Sequence, residues 1–317
     1  MADPQPAELK KKKKRTPTAT SSFGVSKREG HDASDFYSRF TPPELSDDEV
    51  INETEADLLV HGDARKMDVV ADNSVALVVT SPPYFVGKEY EQALGEGEIP
   101  GTYIEYLALL RDVLDECRRV LEPGGRICVN VANLGRKPYR SLSADVISIL
   151  QDDLGLLLRG EVIWLKAEGA SGSCAWGSFR SASNPVLRDT TERIIIASKG
   201  RFDRALSKGA KQRRKAAGLP HEDDIDAEEF AQATLDVWRI RPESAKRVGH
   251  PAPFPVELPE RCIRLFSYVG DVILDPFMGS GSTCVAAART GRRYIGYDLD
   301  GSYVDLARTR LERESAI

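Results

Sequence analysis

The chain has 317 residues, 41% hydrophobic and 29% charged, with 44 Lys+Arg against 49 Asp+Glu for a net charge of −5. That balance is ordinary for a soluble globular protein and long enough for one large domain with insertions, or for two domains. No run of about 18 apolar residues is present, which argues against a membrane span. The lysines near the amino end are followed by no apolar stretch, which argues against a secretory leader. Five scattered cysteines (Cys117, Cys128, Cys174, Cys262, Cys284) form no Cys-x-x-Cys pair. This speaks against a zinc site or a disulfide framework and fits a reducing cytoplasm.

Residues 1–35 are polar and carry the run Lys10–Arg15, so they are expected to be a disordered basic tail. From about residue 58 strands and amphipathic helices alternate. Val75–Val79 is a short continuous apolar run, as for a strand buried on both faces of a parallel sheet. Tyr103, Tyr106, Leu107, Leu110, Val113, Leu114, Cys117, Val120 and Leu121 recur at helical spacing, and Pro123-Gly124-Gly125 is expected to stop that helix. Strands are predicted at 126–131, 161–165, 193–197, 272–274 and 294–297, with a helix around 146–150 and a last amphipathic helix through Leu311. This order implies a parallel α/β sheet. A basic stretch over 199–215 followed by an acidic run over 222–229 looks like an insertion.

Two motifs carry chemistry. Asp275-Pro276-Phe277-Met278-Gly279-Ser280-Gly281-Ser282-Thr283 follows an apolar strand and precedes a helix of small residues. Glycines there let backbone approach a ligand closely, and the helix start offers free N–H groups. Asp298, at the end of the next strand, can hydrogen-bond a ribose hydroxyl pair. The site therefore suits an adenosine-containing cofactor, a plain tight turn being the bland alternative. A P-loop would need a lysine beside Ser282 or Thr283, and a dinucleotide fold would want glycine near Cys284. S-adenosyl-L-methionine has no phosphate and needs neither.

The second motif, Thr80-Ser81-Pro82-Pro83-Tyr84, stands at the carboxyl end of the strand Val75–Val79, where open α/β sheets place ligands. Two prolines fix the backbone and remove two donors, leaving carbonyl acceptors that nothing local is expected to claim. A planar exocyclic amino group fits such acceptors; Ser81 adds a hydroxyl, and Tyr84 can stack on a flat base.

Together the two motifs resemble the signature pair of the DNA amino-methyltransferases, which methylate adenine N6 or cytosine N4. Ser81-Pro82-Pro83-Tyr84 matches the catalytic motif, and Asp275–Thr283 the cofactor motif, with Ser282 in place of a threonine. The catalytic motif comes first, which is similar to the permuted beta arrangement of that family. His61-Gly62-Asp63, Arg119–Gly125 and His250–Pro255 resemble further family segments, so the resemblance spans roughly 58–313. It implies a class I S-adenosylmethionine-dependent methyltransferase fold: a seven-stranded, mostly parallel sheet with helices on both faces, the last strand antiparallel. The implied organisation is the tail 1–35 and a catalytic domain over 36–317, with target recognition in an insertion at about 200–249. The basic stretch would then be a DNA-binding surface beside the cleft.

The resemblance further implies methyl transfer from S-adenosyl-L-methionine to cytosine N4 in double-stranded DNA, with adenine N6 as the alternative. Ser at position 81 resembles the cytosine members. Ser81, Pro82, Pro83 and Tyr84 would hold the amine; Asp63, Asp275, Pro276, Phe277, Gly279, Gly281 and Asp298 would line the cofactor site, and no metal is required. A cognate restriction endonuclease is an implied partner. An RNA or protein-amide methyltransferase and a non-catalytic DNA-binding protein are the rival readings. Carbon-5 cytosine chemistry is disfavoured because no Pro-Cys pair occurs. The segment Trp176–Ser181 is a candidate lining of the target site or a packed aromatic, Trp238 and Arg241 are expected to be structural, and His250 a turn residue.

Overall fold

The computed structural model describes residues 45–46, 48–85, 102–133, 138–166, 177–204, 209–243 and 254–315. The amino-terminal tail, Trp176 and His250 lie outside them. The strands are β1 (Leu58–His61), β2 (Val75–Thr80), β3 (Leu121–Val131), β4 (Leu157–Leu165), β5 (Thr191–Ser198), β6 (Val237–Arg239), β7 (Val272–Asp275) and β8 (Arg293–Asp298). The helices are α1 (Tyr103–Val120), α2 (Leu142–Ser148, continued by a π-helical turn), α3 (Ala210–Ala216), α4 (Ala227–Ala233), α5 (Glu257–Phe266), α6 (Ser282–Arg289) and α7 (Gly301–Ser315).

All eight strands form one sheet in the order β1-β8-β7-β2-β3-β5-β4-β6. β5 is antiparallel to both its neighbours, and every other pairing is parallel. Two expectations are corrected here. The sheet has eight strands because the short β6 adds to the β4 edge, and the antiparallel strand is the fifth in the chain, while the last, β8, runs parallel. The permutation explains the second point: the fold's antiparallel member keeps its place beside β3 but is no longer the end of the chain.

Side chains alternate across the sheet. Val78, Val129 and Leu274 pack beneath α1 and α2, whereas Leu77, Val79 and Ile273 face α5 and α6. α1 starts cleanly because Thr102 and Glu105 cap each other's backbone N–H groups, and its buried stripe (Tyr106, Leu110, Val113, Leu114, Cys117, Val120) has the helical period. Among the described residues no helix is long and apolar enough to cross a membrane.

α1 ends at Val120, just ahead of Pro123-Gly124-Gly125, as expected, but that segment already belongs to the next strand. β3 begins directly at Leu121, and Glu122–Gly125 bulge out opposite the single residue Ala76. Gly124 sits at φ +76°, where a Cβ would come within 2.5 Å of the Asp203 carbonyl oxygen. The bulge thus lets the basic stretch cross close behind the sheet.

That crossing relocates the basic stretch. Lys199 donates to Asn73 Oδ1 and to the carbonyls of Arg119 and Leu121. Arg201 donates to the Asp203 and Asp48 carbonyls. Arg204, with a side chain 5% exposed, pairs with Glu122 at 2.6 Å and Asp271 at 2.7 Å, and Arg214 joins the same two carboxylates. Glu122 and Asp271 stand at the amino ends of β3 and β7. These four cations therefore hold the fold together at the edge of the sheet opposite the carboxyl ends, and the reading of them as a surface beside the cleft is corrected.

Candidate active site at the carboxyl ends of the strands

β2 and β7 are neighbours, with Leu77 opposite Ile273 and Val78 opposite Leu274. Motifs almost two hundred residues apart therefore emerge side by side. Thr80 Oγ1 donates to Asp275 Oδ1 at 2.7 Å, and Thr283 Oγ1 to the Val79 carbonyl at 3.1 Å. Asp275 is fully buried, and its Oδ2 has no hydrogen-bond partner. Burial pushes its carboxyl up to about 6 from 3.8, although the Thr80 hydroxyl favours the charged form. The native protein therefore binds this proton more tightly than the unfolded chain does, so Asp275 costs stability as pH rises from 3.8 to about 6, and the full cost remains at higher pH. That difference corresponds to about 3 kcal/mol. Asp275→Asn is thus expected to raise the urea midpoint of the unliganded protein at pH 7.5, with a gain that shrinks toward pH 4. A midpoint that falls at both pH values would refute this account of Asp275.

The turn between β7 and α6 is shaped by two glycines. Gly279 (φ 47°) and Gly281 (φ 77°) both lie in the left-handed region, and a Cβ on Gly281 would meet the Ala307 Cβ at 2.7 Å. Gly281 caps α6, whose first side chains turn inward: Ser282 Oγ donates to the Phe254 carbonyl. Asp298 organises the turn, with Oδ2 accepting from Gly279 N at 2.9 Å and Oδ1 from Asp300 N at 2.9 Å. Burial raises its pKa against those two bonds. Each Asp298 oxygen keeps a lone pair for a ligand hydroxyl. β1 ends beside it, with Gly62 N donating to the Asp298 carbonyl at 2.9 Å. Asp63 follows; burial works against its charge, but the Arg65 guanidinium 2.7 Å away and the Arg65 N–H outweigh that and hold its carboxyl below the usual range. Pro276 is buried and Phe277 half-buried against the core beneath α1 and α2.

At the Ser81–Tyr84 corner one expectation is corrected: the Pro83 carbonyl is claimed, by the Tyr106 hydroxyl from α1. Pro82 is buried, while Ser81 and Tyr84 are half-buried. The Tyr84 hydroxyl donates to Glu192 Oε2 at 3.0 Å and lies 2.9 Å from Ser81 Oγ. Asn130 Nδ2, at the end of β3, reaches Glu192 Oε2 at 2.5 Å, the Tyr84 hydroxyl at 3.2 Å and Ser81 Oγ at 3.4 Å. Lys166, just after β4, donates to Glu192 Oε1 at 2.7 Å. Glu192 reaches this edge because antiparallel β5 starts where the parallel strands end.

Asn130, Lys166 and Glu192 were not singled out from the sequence. A signal existed for one of them: Asn130 is a polar residue within the apolar buried run Ile127–Val131, where a side chain needs a partner, whereas Glu192 stands between Thr191 and Arg193 at the polar start of β5. Turning the Asn130 amide over would set its oxygen against the Glu192 carboxylate, so Nδ2 faces the cluster and Oδ1 is left without a donor. The site thus holds two buried unpartnered acceptors, Asp275 Oδ2 and Asn130 Oδ1, on the strands flanking β2.

A mostly parallel sheet with β5 reversed, helices on both faces and a glycine turn beside an acidic strand end is a class I methyltransferase fold. Residues 75–309 match the family described as DNA methylase, of the N6 and N4 type, and the chain belongs to that family. Type II methyltransferase M.MjaI of Methanocaldococcus jannaschii is 31% identical over 277 residues, covering 77% of this chain and 87% of its own. The Thermus thermophilus protein TTHA0409, solved in complex with S-adenosyl-L-methionine, superposes with a TM-score of 0.57 at 31% identity over 80% of this chain and 93% of that one. The cytosine-N4-specific PvuII DNA methyltransferase shares the fold, with a TM-score of 0.58 at 20% identity, covering 83% of this chain and 91% of its own.

Proposed function

We propose that the protein methylates the exocyclic N4 of cytosine in double-stranded DNA, with S-adenosyl-L-methionine as methyl donor, as the modification enzyme of a cytoplasmic restriction–modification pair with a cognate endonuclease. The observation that carries this reading is the placement of Ser81–Tyr84 directly beside the Asp275–Gly281 turn, joined through Thr80 and Asp275. The cofactor residues fit the donor: Asp275 Oδ2 lacks a donor partner, as an ammonium group would supply, and Asp298 offers acceptors to ribose hydroxyls. Gly279 and Gly281 give close backbone approach, and Asp63, Pro276 and Phe277 complete the lining. When bound, S-adenosyl-L-methionine supplies an electrophilic methyl group on a sulfonium.

The protein's own groups do the rest. The target base must leave the duplex stack, because a stacked base cannot reach the end of a buried sheet. Tyr84 stacks on it; Pro82 fixes the backbone, its carbonyl accepting one N–H, while Ser81 accepts another. Such bonds turn the amine lone pair out of conjugation and toward the methyl carbon. Serine at position 81, as in the cytosine members that the motif resembles, favours N4. Within the 200–249 segment, the end of β6 and Arg241 beyond it reach the catalytic edge, since β6 runs parallel to β4. Target recognition is assigned there, with Trp238 buried beneath it and bonded to the Ala233 carbonyl.

Long-read sequencing of host DNA with and without the gene, paired with nucleoside mass spectrometry, tests the reading. N4-methylcytosine at one short motif is the expected result. N6-methyladenine would overturn the choice of base, and no methylated amino base would overturn the function.

A further inference from the structure

The hydrogen bonds around Ser81 all run one way. Glu192 carries a carboxylate that only accepts, and it takes the single hydroxyl hydrogen of Tyr84. The Tyr84 oxygen can then only accept from Ser81, so the Ser81 hydroxyl hydrogen points at Tyr84 and a lone pair on Ser81 Oγ is left for an incoming N–H. Asn130 and Lys166 both donate into the same cluster, and neither can take up a proton there. Among the described residues of this cluster Glu192 is therefore the one base, and Lys166 and Tyr84 are the charged and titratable groups facing it.

Resting on the reading of Ser81–Tyr84 as the seat of the amine, we propose that Glu192 is the proton acceptor of methyl transfer, reached through the Ser81 and Tyr84 hydroxyls. When the amine nitrogen bonds the methyl carbon, the electron pair of the broken carbon–sulfur bond stays on sulfur, which becomes neutral. The positive charge moves to nitrogen, which must shed one proton to give the neutral methylated amine. Ser81 Oγ takes that proton and passes its own to Tyr84, and Tyr84 passes its own to Glu192. The products are a neutral amine and a neutral carboxylic acid, with both hydroxyls restored. The Lys166 side of Glu192, where the lysine side chain is 26% exposed, is the side open to solvent, and there water takes the proton in the final release while Lys166 keeps its own. A serine at the first motif position cannot hold the proton as a carboxylate there could, which is why the acceptor lies two hydroxyls further on.

The test uses the whole protein and a duplex carrying the motif found by sequencing. Binding of that duplex, and fluorescence of an extrahelical base analogue placed at the target position, are read without methyl donor. Glu192→Gln is expected to keep both within about twofold of wild type. Its single-turnover transfer should fall by about a hundredfold at pH 7, with the loss shrinking as pH rises and hydroxide takes the proton. Tyr84→Phe, which leaves β5 untouched and serves if Glu192→Gln does not fold, should show the same profile, and the double variant should be no worse than either single one. An unchanged Glu192→Gln rate would overturn the proposal. So would a loss that is equal at every pH and accompanied by lost fluorescence, which would make Glu192 only a support for Tyr84. In both cases the wild type still methylates an amino base, whereas a wild type that does not would overturn the function itself.

Discussion

Tyr84→Ala is expected to keep affinity for S-adenosyl-L-methionine within about twofold and to lose at least a hundredfold in methyl transfer. The hydroxyl of Tyr84 bonds Glu192 and lies against Ser81 and Asn130, on the β2–β3–β5 side of the site. The groups assigned to the methyl donor stand on β7, β8 and the Gly279–Gly281 turn, so truncation leaves them in place. The base loses a stacking partner worth about 1–3 kcal/mol, and an amine displaced by about 1 Å costs a further hundredfold or so. Donor binding is followed by calorimetry and transfer by a labelled methyl group under single turnover. Tyr84 also packs against the core beneath α1, so the comparison belongs below the variant's unfolding transition. Full transfer by Tyr84→Ala would place the target base elsewhere.

The parts of this site that were legible in the sequence are those carried by one contiguous segment. Val75–Val79 read as a doubly buried strand because every residue is apolar, and Thr80–Tyr84 followed at its end. The Asp275–Thr283 turn read as a candidate cofactor loop, with a plain tight turn as the alternative, because glycines at a strand-to-helix junction let backbone approach a ligand closely. What stayed hidden is assembled from several segments. Glu192, Asn130 and Lys166 come from β5, β3 and the end of β4, at no fixed spacing, and meet because one strand is reversed. The Pro83 carbonyl looked free because its partner, Tyr106, lies on a helix whose periodicity marked that residue only as core. Four cations of the basic stretch, Lys199, Arg201, Arg204 and Arg214, misled for a related reason, whereas Lys211, Arg213 and Lys215 are exposed. A run of cations is the same string whether its counter-charges are phosphates or the fold's own carboxylates, and Glu122 and Asp271 lie 82 and 67 residues from Arg204.

That last distinction can be measured. Arg204→Met is expected to destabilise the protein by about 3–5 kcal/mol while leaving duplex affinity, and its salt dependence, unchanged below the unfolding transition. Burial opposes the charge on Arg204, but Asp271 and Glu122 outweigh it and hold the guanidinium pKa above its ordinary value. The side chain also lies over the Tyr268 ring, 4.9 Å from its centroid. Methionine fills much of the space but leaves Glu122 and Asp271 buried with Arg214 as their one shared cation, beside the Tyr268 N–H on Asp271, and an under-compensated buried carboxylate is the expensive part. Urea unfolding followed by far-UV circular dichroism should show a lower midpoint at unchanged slope. Had this arginine gripped phosphate, its removal would instead leave the midpoint nearly in place, weaken duplex binding and reduce the salt slope by about one counterion. A stable Arg204→Met protein with that weakened, less salt-sensitive binding would return the basic stretch to the DNA surface.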